Sequence, residues 1–142
     1  MDPISESDVI RLELPATYKY LSVLEACIAA MLERVESIPE RNILAYNVTL
    51  AVHETCTNIV EHAYDGQAGK IKAILCLADE PRRLVIDLYD TGRSFSMPEI
   101  QPPNLEEVQT NGYGLFLIHE LMDEVSYRSQ PGDNRWRLVK NL

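Results

Sequence analysis

Three short clusters hold side chains able to do chemistry. Glu54 and Asn58, within His53-Glu54-Thr55-Cys56-Thr57-Asn58, stand four residues apart, the spacing at which helical side chains lie one above the other. A carboxylate set between apolar Val52 and the small Thr55 and Cys56 either lines a cleft or reaches solvent at a helix edge. In Tyr89-Asp90-Thr91-Gly92, an aspartate ending an apolar strand can accept a hydrogen bond from an exocyclic amine. A glycine two residues on lets a flat ring approach the backbone. In Asn111-Gly112-Tyr113-Gly114-Leu115, two glycines precede an amphipathic segment, and free amides at a helix start, with the helix dipole, favour phosphate. Each cluster alone has an ordinary structural reading: a polar pair on a helix surface, a strand-ending turn, a glycine-rich helix start.

Rival chemistries find less support. His53-Glu54 begins like HExxH, but position 57 is threonine and His62 lies too far along for the two-histidine zinc arrangement. His53, His62 and His119 have no acid and nucleophile at a recognisable spacing for a hydrolase triad. The glycines at 112 and 114 are not a Walker loop, which needs GxxxxGK.

The elements that must position these clusters follow from the apolar period. Ile10, Leu12 and Leu14 alternate, predicting a first strand over Val9–Leu14 stopped by Pro15. Leu21, Leu24, Ile28, Met31, Leu32 and Val35 recur every three or four residues, predicting a helix from about Thr17 to Glu36. A second helix starts with Pro39 at its first position and runs toward Tyr64, ended by Asp65-Gly66. Alternation over 71–77 and 84–90 predicts a hairpin turning at Asp79-Glu80-Pro81-Arg82. A long aperiodic connection from Thr91 to Asn111 has the character of a functional lid. A helix follows over 112–124, then a hairpin of 125–129 and 135–142 around Pro131-Gly132-Asp133-Asn134. This order predicts an α+β, two-layer sandwich: a mixed, mostly antiparallel sheet with helices on one face.

With 142 residues, 46% of them hydrophobic, the chain supports one packed core and reads as a single domain over 1–142, with 1–7 a flexible start. A net charge of −9 argues against direct nucleic-acid or anionic-membrane partners and suits a basic or amphipathic protein. Cys27, Cys56 and Cys76 are odd in number and widely spaced, so reduced buried thiols are expected. No charged start precedes an apolar core and no apolar run approaches a membrane span, so a cytoplasmic location is expected.

Taken together, Ala51 to Tyr64, then Asp90-Thr91-Gly92 with Phe95, then Gly112-Tyr113-Gly114-Leu115-Phe116-Leu117-Ile118 through Leu121-Met122-Asp123-Glu124-Val125 resemble the bacterial anti-sigma-factor serine kinases. These belong to the Bergerat-type ATPases, together with histidine kinases and DNA gyrase, and the resemblance runs from about Leu12 to Leu142. It implies the histidine-kinase-like ATPase fold, ATP with Mg2+, and an ATP lid over 93–111. It also implies roles: Glu54 as general base or water organiser, Asn58 as magnesium ligand, Asp90 on the adenine amine and Gly92 behind the ring, with Gly112 and Gly114 at the phosphates. Such kinases bind a sigma factor and phosphorylate a serine or threonine of a small anti-anti-sigma, STAS-type protein, and homodimerisation goes with the family.

The chain departs from that pattern in places. Glu25 stands where relatives usually carry an arginine used for partner contact, Ser96 stands where an aspartate often follows the lid phenylalanine, and the loop from Arg93 to Asn111 is shorter than in many. An alternative reading is therefore a non-catalytic module that sequesters a protein partner and uses ATP structurally or not at all. A third, the catalytic domain of a histidine kinase, would need a phosphoacceptor helix pair ahead of a first helix that begins too soon.

Overall fold

Where apolar residues alternate the chain forms strands, and where their period lengthens to three and four it forms helices. The structure, a computed structural model, describes residues 8–94 and 113–142. Along the chain run β1 (Val9–Pro15), α1 (Tyr18–Glu33), α2 (Arg41–Asn58), β2 (Lys70–Ala78), β3 (Arg83–Asp90), α3 (Tyr113–Leu121), β4 (Glu124–Gln130) and β5 (Asp133–Asn141). A π-helical turn, Ile59–Ala63, continues α2. Gly112, Phe95, Ser96 and all but the first residues of the expected lid lie outside the described residues.

The strands form one sheet in the order β1-β2-β3-β5-β4. Every pairing among them is antiparallel, so the expected mixture of directions is corrected to a uniformly antiparallel sheet. One face is apolar: Ile71, Ala73 and Leu75 of β2, Leu84, Ile86 and Leu88 of β3, and Trp136 and Leu138 of β5 are buried in the main core. The helical layer supplies the other half, with Leu21, Leu24, Ile28, Met31 and Leu32 from α1, Val48, Ala51, Val52 and Cys56 from α2, and Leu115 and Ile118 from α3. α2 packs against both α1 and α3, so its polar residues next to α3 are held by core contacts on either side.

Element ends differ from the period-based reading where side chains or backbone intervene. Pro39 is not the first helical residue of α2, because Glu40 adopts a left-handed backbone (φ 49°) and the helix begins at Arg41. The Arg41 guanidinium donates to the carbonyls of Leu32 and Val35, closing the end of α1. α3 stops at Leu121 rather than near Glu124. Lys140 Nζ caps the Leu121 carbonyl at 2.7 Å, and Asp123 is already joined to β5, its N–H donating to the Val139 carbonyl. The last hairpin is tighter than expected: Gln130 pairs with Asp133, leaving Pro131-Gly132 as the turn with Gly132 at φ 70°, and Asn134 belongs to β5. The hairpin turn at 79–82 and the helix stop at Asp65-Gly66, both left-handed, match expectation.

Candidate functional site

The site is assembled where α2 ends, β3 ends and α3 begins. Glu54 and Asn58 both belong to α2, one turn apart, and Asn58 is its last α-helical residue before the π turn. Such turns interrupt the helix ladder and are frequent at functional sites. Thr57 Oγ1 and Asn58 Nδ2 are buried, with no hydrogen-bond partner among the described residues. An unsatisfied buried polar group costs about 1–3 kcal/mol, a cost that a ligand bound there would relieve.

Glu54 reaches across to α3. A methyl group built on Gly114 would lie 2.8 Å from Glu54 Oε2, so the carboxylate packs directly on the backbone of the first turn of α3. That is the positive end of the helix dipole, favourable for an anion of either kind, carboxylate or phosphate. Gly114 is thus required for the close approach of Glu54, and any side chain there would push the carboxylate away.

Asp90 ends β3, is 3% exposed and faces the helical side. Its Oδ1 accepts from the Gly92 N–H (3.0 Å) and from Asn134 Nδ2 (2.8 Å), while Oδ2 has no hydrogen-bond partner among the described residues. Burial pushes the Asp90 carboxyl above the usual carboxylate range, and the two donated hydrogen bonds partly offset this. The end of β3 thus holds a carboxylate with one oxygen anchored and the other without a partner among the described residues, able to accept from an N–H donor.

The fastening residue, Asn134, escaped sequence reasoning. It is fully buried, pairs across the ladder with Asp90, and its amide also donates to the carbonyls of Gly92 (2.9 Å) and Arg93 (3.3 Å), while its Oδ1 accepts from Ser94 Oγ (3.2 Å). A turn-forming Pro-Gly-Asp-Asn string hides it. Its signal was parity: Asn134, Trp136 and Leu138 share one face of a strand.

Gly92 answers a packing need as well. A side chain there would lie 2.4 Å from the Ala63 carbonyl oxygen, and the Arg93 N–H donates to that same oxygen at 2.9 Å. The end of the π turn therefore presses on the segment after β3. Tyr64 clamps the same junction, its hydroxyl donating to the Lys70 carbonyl (2.5 Å) and accepting from the Thr91 N–H (3.0 Å). Glu54, Asn58, Asp90, Gly92 and Gly114 are thus all placed by elements that touch one another.

Residues set aside earlier are accounted for. His53 lies 3.2 Å from Glu25 on the α1–α2 side. The three cysteines are free, Cys56 and Cys76 buried and Cys27 half-buried, and burial raises the Cys56 thiol far above its ordinary range. The described residues hold no group of three or more His, Cys, Asp or Glu able to grip a metal. The orphaned atom of Asn58 is its Nδ2 donor, which suits an acceptor on a bound ligand. The oxygen of the same amide is of the type magnesium accepts, since that ion takes few protein ligands and completes its octahedron with phosphate oxygens and water. An amide with a free donor and an oxygen ligand, one helical turn from a carboxylate on the start of α3, fits a nucleotide with its magnesium.

The histidine kinase-like ATPase domain model matches residues 14–140. A serine-protein kinase RsbW from Bacillus mycoides is 30% identical over 136 residues, covering 87% of this chain and 79% of the relative. The chain belongs to the histidine kinase-like ATPase family, with the RsbW serine-protein kinases. The Staphylococcus aureus RsbW kinase is 29% identical, covering 90% of this chain and 84% of that protein. Among solved structures, the RsbU and RsbW domains of Rv1364c from Mycobacterium tuberculosis match with a TM-score of 0.67 at 19% identity, over 94% of this chain and 32% of that one. That likeness bears on the fold, and it agrees with the sandwich expected for this ATPase family. No helix among the described residues is long and apolar enough to cross a membrane.

Proposed function

We propose that this chain is an ATP-dependent anti-sigma serine/threonine-protein kinase, which binds a sigma factor and phosphorylates an anti-anti-sigma, STAS-type protein in the cytoplasm. The observation that carries the reading is the junction of α2 with α3: the buried Asn58 Nδ2, without a partner among the described residues, and the Glu54 carboxylate against the backbone of Gly114. The name serine-protein kinase, borne by relatives at about 30% identity, supports the reaction, and the family resemblance of the three clusters supports the partners.

In this reading Asp90 Oδ2 accepts from the adenine amine, with Asn134 and the Gly92 N–H holding its other oxygen. The N-terminal amides of α3, with Gly114 and the preceding Gly112, meet the phosphates. Asn58 would hold Mg2+ through its amide oxygen, and the metal would offset negative charge on the transferring phosphoryl oxygens. Glu54 receives the proton of the attacking serine or threonine hydroxyl, and its contact with the first turn of α3 orients it for that task. A homodimer belongs to the same reading, supported by the family resemblance.

The test is transfer of label from γ-labelled ATP to a STAS-type anti-anti-sigma protein. Glu54→Gln is expected to reduce transfer at least 100-fold with ATP binding retained, and Asn58→Ala to lose both binding and transfer. Undiminished transfer in either variant would overturn the assignment. Nucleotide binding with no transfer to any such protein would favour the sequestering module.

A further inference from the structure

The face of the sheet turned away from the helices carries a charge opposite to that of the molecule. Strand parity places Arg11 of β1, Lys72 of β2, Tyr89 of β3, Arg137 and Arg135 of β5 and Arg128 of β4 there, because their neighbours in sequence fill the helical-side core. Three cations of this face are engaged: Arg137 holds the Asp87 carboxylate through Nε (2.8 Å) and its terminal nitrogen (3.0 Å), Lys70 reaches Glu13 at 3.1 Å, and Arg83 donates to the Pro81 carbonyl at 3.2 Å. Arg11, Lys72, Arg128 and Arg135 have no hydrogen-bond or ion-pair partner among the described residues.

The register makes this a built arrangement. One cross-strand row reads Lys72, Tyr89, Arg135, Arg128, and its last two members are directly opposed. Like charges in facing positions destabilise a ladder, so the pair works against the fold. Tyr89, Arg128 and Arg135, with Ser129, Gln130 and Asp133, line a depression of about 190 Å³ at this end of the sheet.

We propose that an acidic segment of a protein partner docks on this face, its carboxylates bridging Arg128 and Arg135 and extending over Tyr89 toward Lys72. The length fits: three strand spacings span about 14 Å, matched by an extended segment of roughly four residues. The charge pattern selects a short acidic segment over a nucleic acid. Outside this face the molecule is more acidic than its net −9, so a long polyanion leaving the patch meets repulsion, whereas a segment confined to the patch does not. The surface lies on the opposite layer from the Glu54–Asn58 site, and docking there leaves the nucleotide cleft clear.

The test uses the full chain and a fluorescein-labelled peptide of eight glutamates, read by anisotropy at low salt. The wild type is expected to bind and to weaken as salt rises, and Arg128→Gln with Arg135→Gln to weaken binding at least tenfold. Arg34→Gln, on the helical layer, should change it less than twofold. Arg128→Gln alone is expected to raise the melting temperature by removing the like-charge contact, which shows that lost binding is not lost folding. Equal peptide binding by the double variant would overturn the proposal. So would tighter binding of an oligothymidylate of the same charge, or a self-associated form of the wild type that the double variant lacks.

Discussion

At Asp90 the needs of folding and of the proposed adenine binding oppose each other. Burial raises its pKa, so at neutral pH the folded protein bears the cost of holding a charge in a dry place. A raised carboxyl contributes stability that is complete below its unfolded value and is lost as pH rises through the folded value. Asp90→Asn keeps an oxygen to accept from the Gly92 N–H and Asn134 and removes that charge. Its melting temperature at pH 7 is expected to equal or exceed that of the wild type, with the difference closing as pH falls through the raised folded value. ATP affinity should drop at least tenfold, because an amide N–H2 then faces the adenine amine. Melting curves from pH 4 to 8 and a nucleotide titration check both; a large loss of stability at pH 7 would show that the charge itself holds the fold. Asn134 matters at the same scale, since its side chain links Asp90, the carbonyls of Gly92 and Arg93, and Ser94.

At the level of elements, the site depends on how the end of α2 meets the end of β3. The π turn brings the Ala63 carbonyl against Gly92 and within bonding distance of the Arg93 N–H, and Tyr64 ties the turn to β2 and Thr91. Gly92→Ala puts a methyl group into backbone, which cannot swing aside as a side-chain end can. We expect a loss of about 1–3 kcal/mol, typical of overpacking, measured by urea denaturation, together with weakened ATP binding. Gly114→Ala is the informative contrast: its methyl would meet only the tip of Glu54, so stability should hold within about 0.5 kcal/mol while phosphoryl transfer falls. Equal stability losses in the two variants would contradict this distinction between backbone and side-chain contact.

For the whole molecule, a main core on one side of the sheet leaves one end of the helical layer and the outer sheet face for different tasks. The chain is strongly acidic, so a nucleotide polyphosphate approaches against the average field, and in the proposed reading it would depend on a divalent cation and on the α3 amides. Saturating magnesium-ATP at about 100 times its dissociation constant should stabilise the fold by about 2.7 kcal/mol. ATP with excess chelator should give a smaller rise in melting temperature. An identical rise with and without magnesium would remove the metal from the site.

The amino-acid sequence by itself determined the strands and helices, because period-two and period-three-to-four burial are properties of single elements. It also determined Glu54 and Asn58 as a pair, since four residues in a helix put two side chains on one face wherever that helix packs. Only the tertiary structure decided that Glu54 rests on Gly114, that Asn134 fastens Asp90, and that Arg128 faces Arg135. Each of these joins residues far apart in the chain through sheet order and register. The crossover that puts β5 beside β3, and so Asn134 beside Asp90, is a choice made by the packed core as a whole, and no local pattern encodes it.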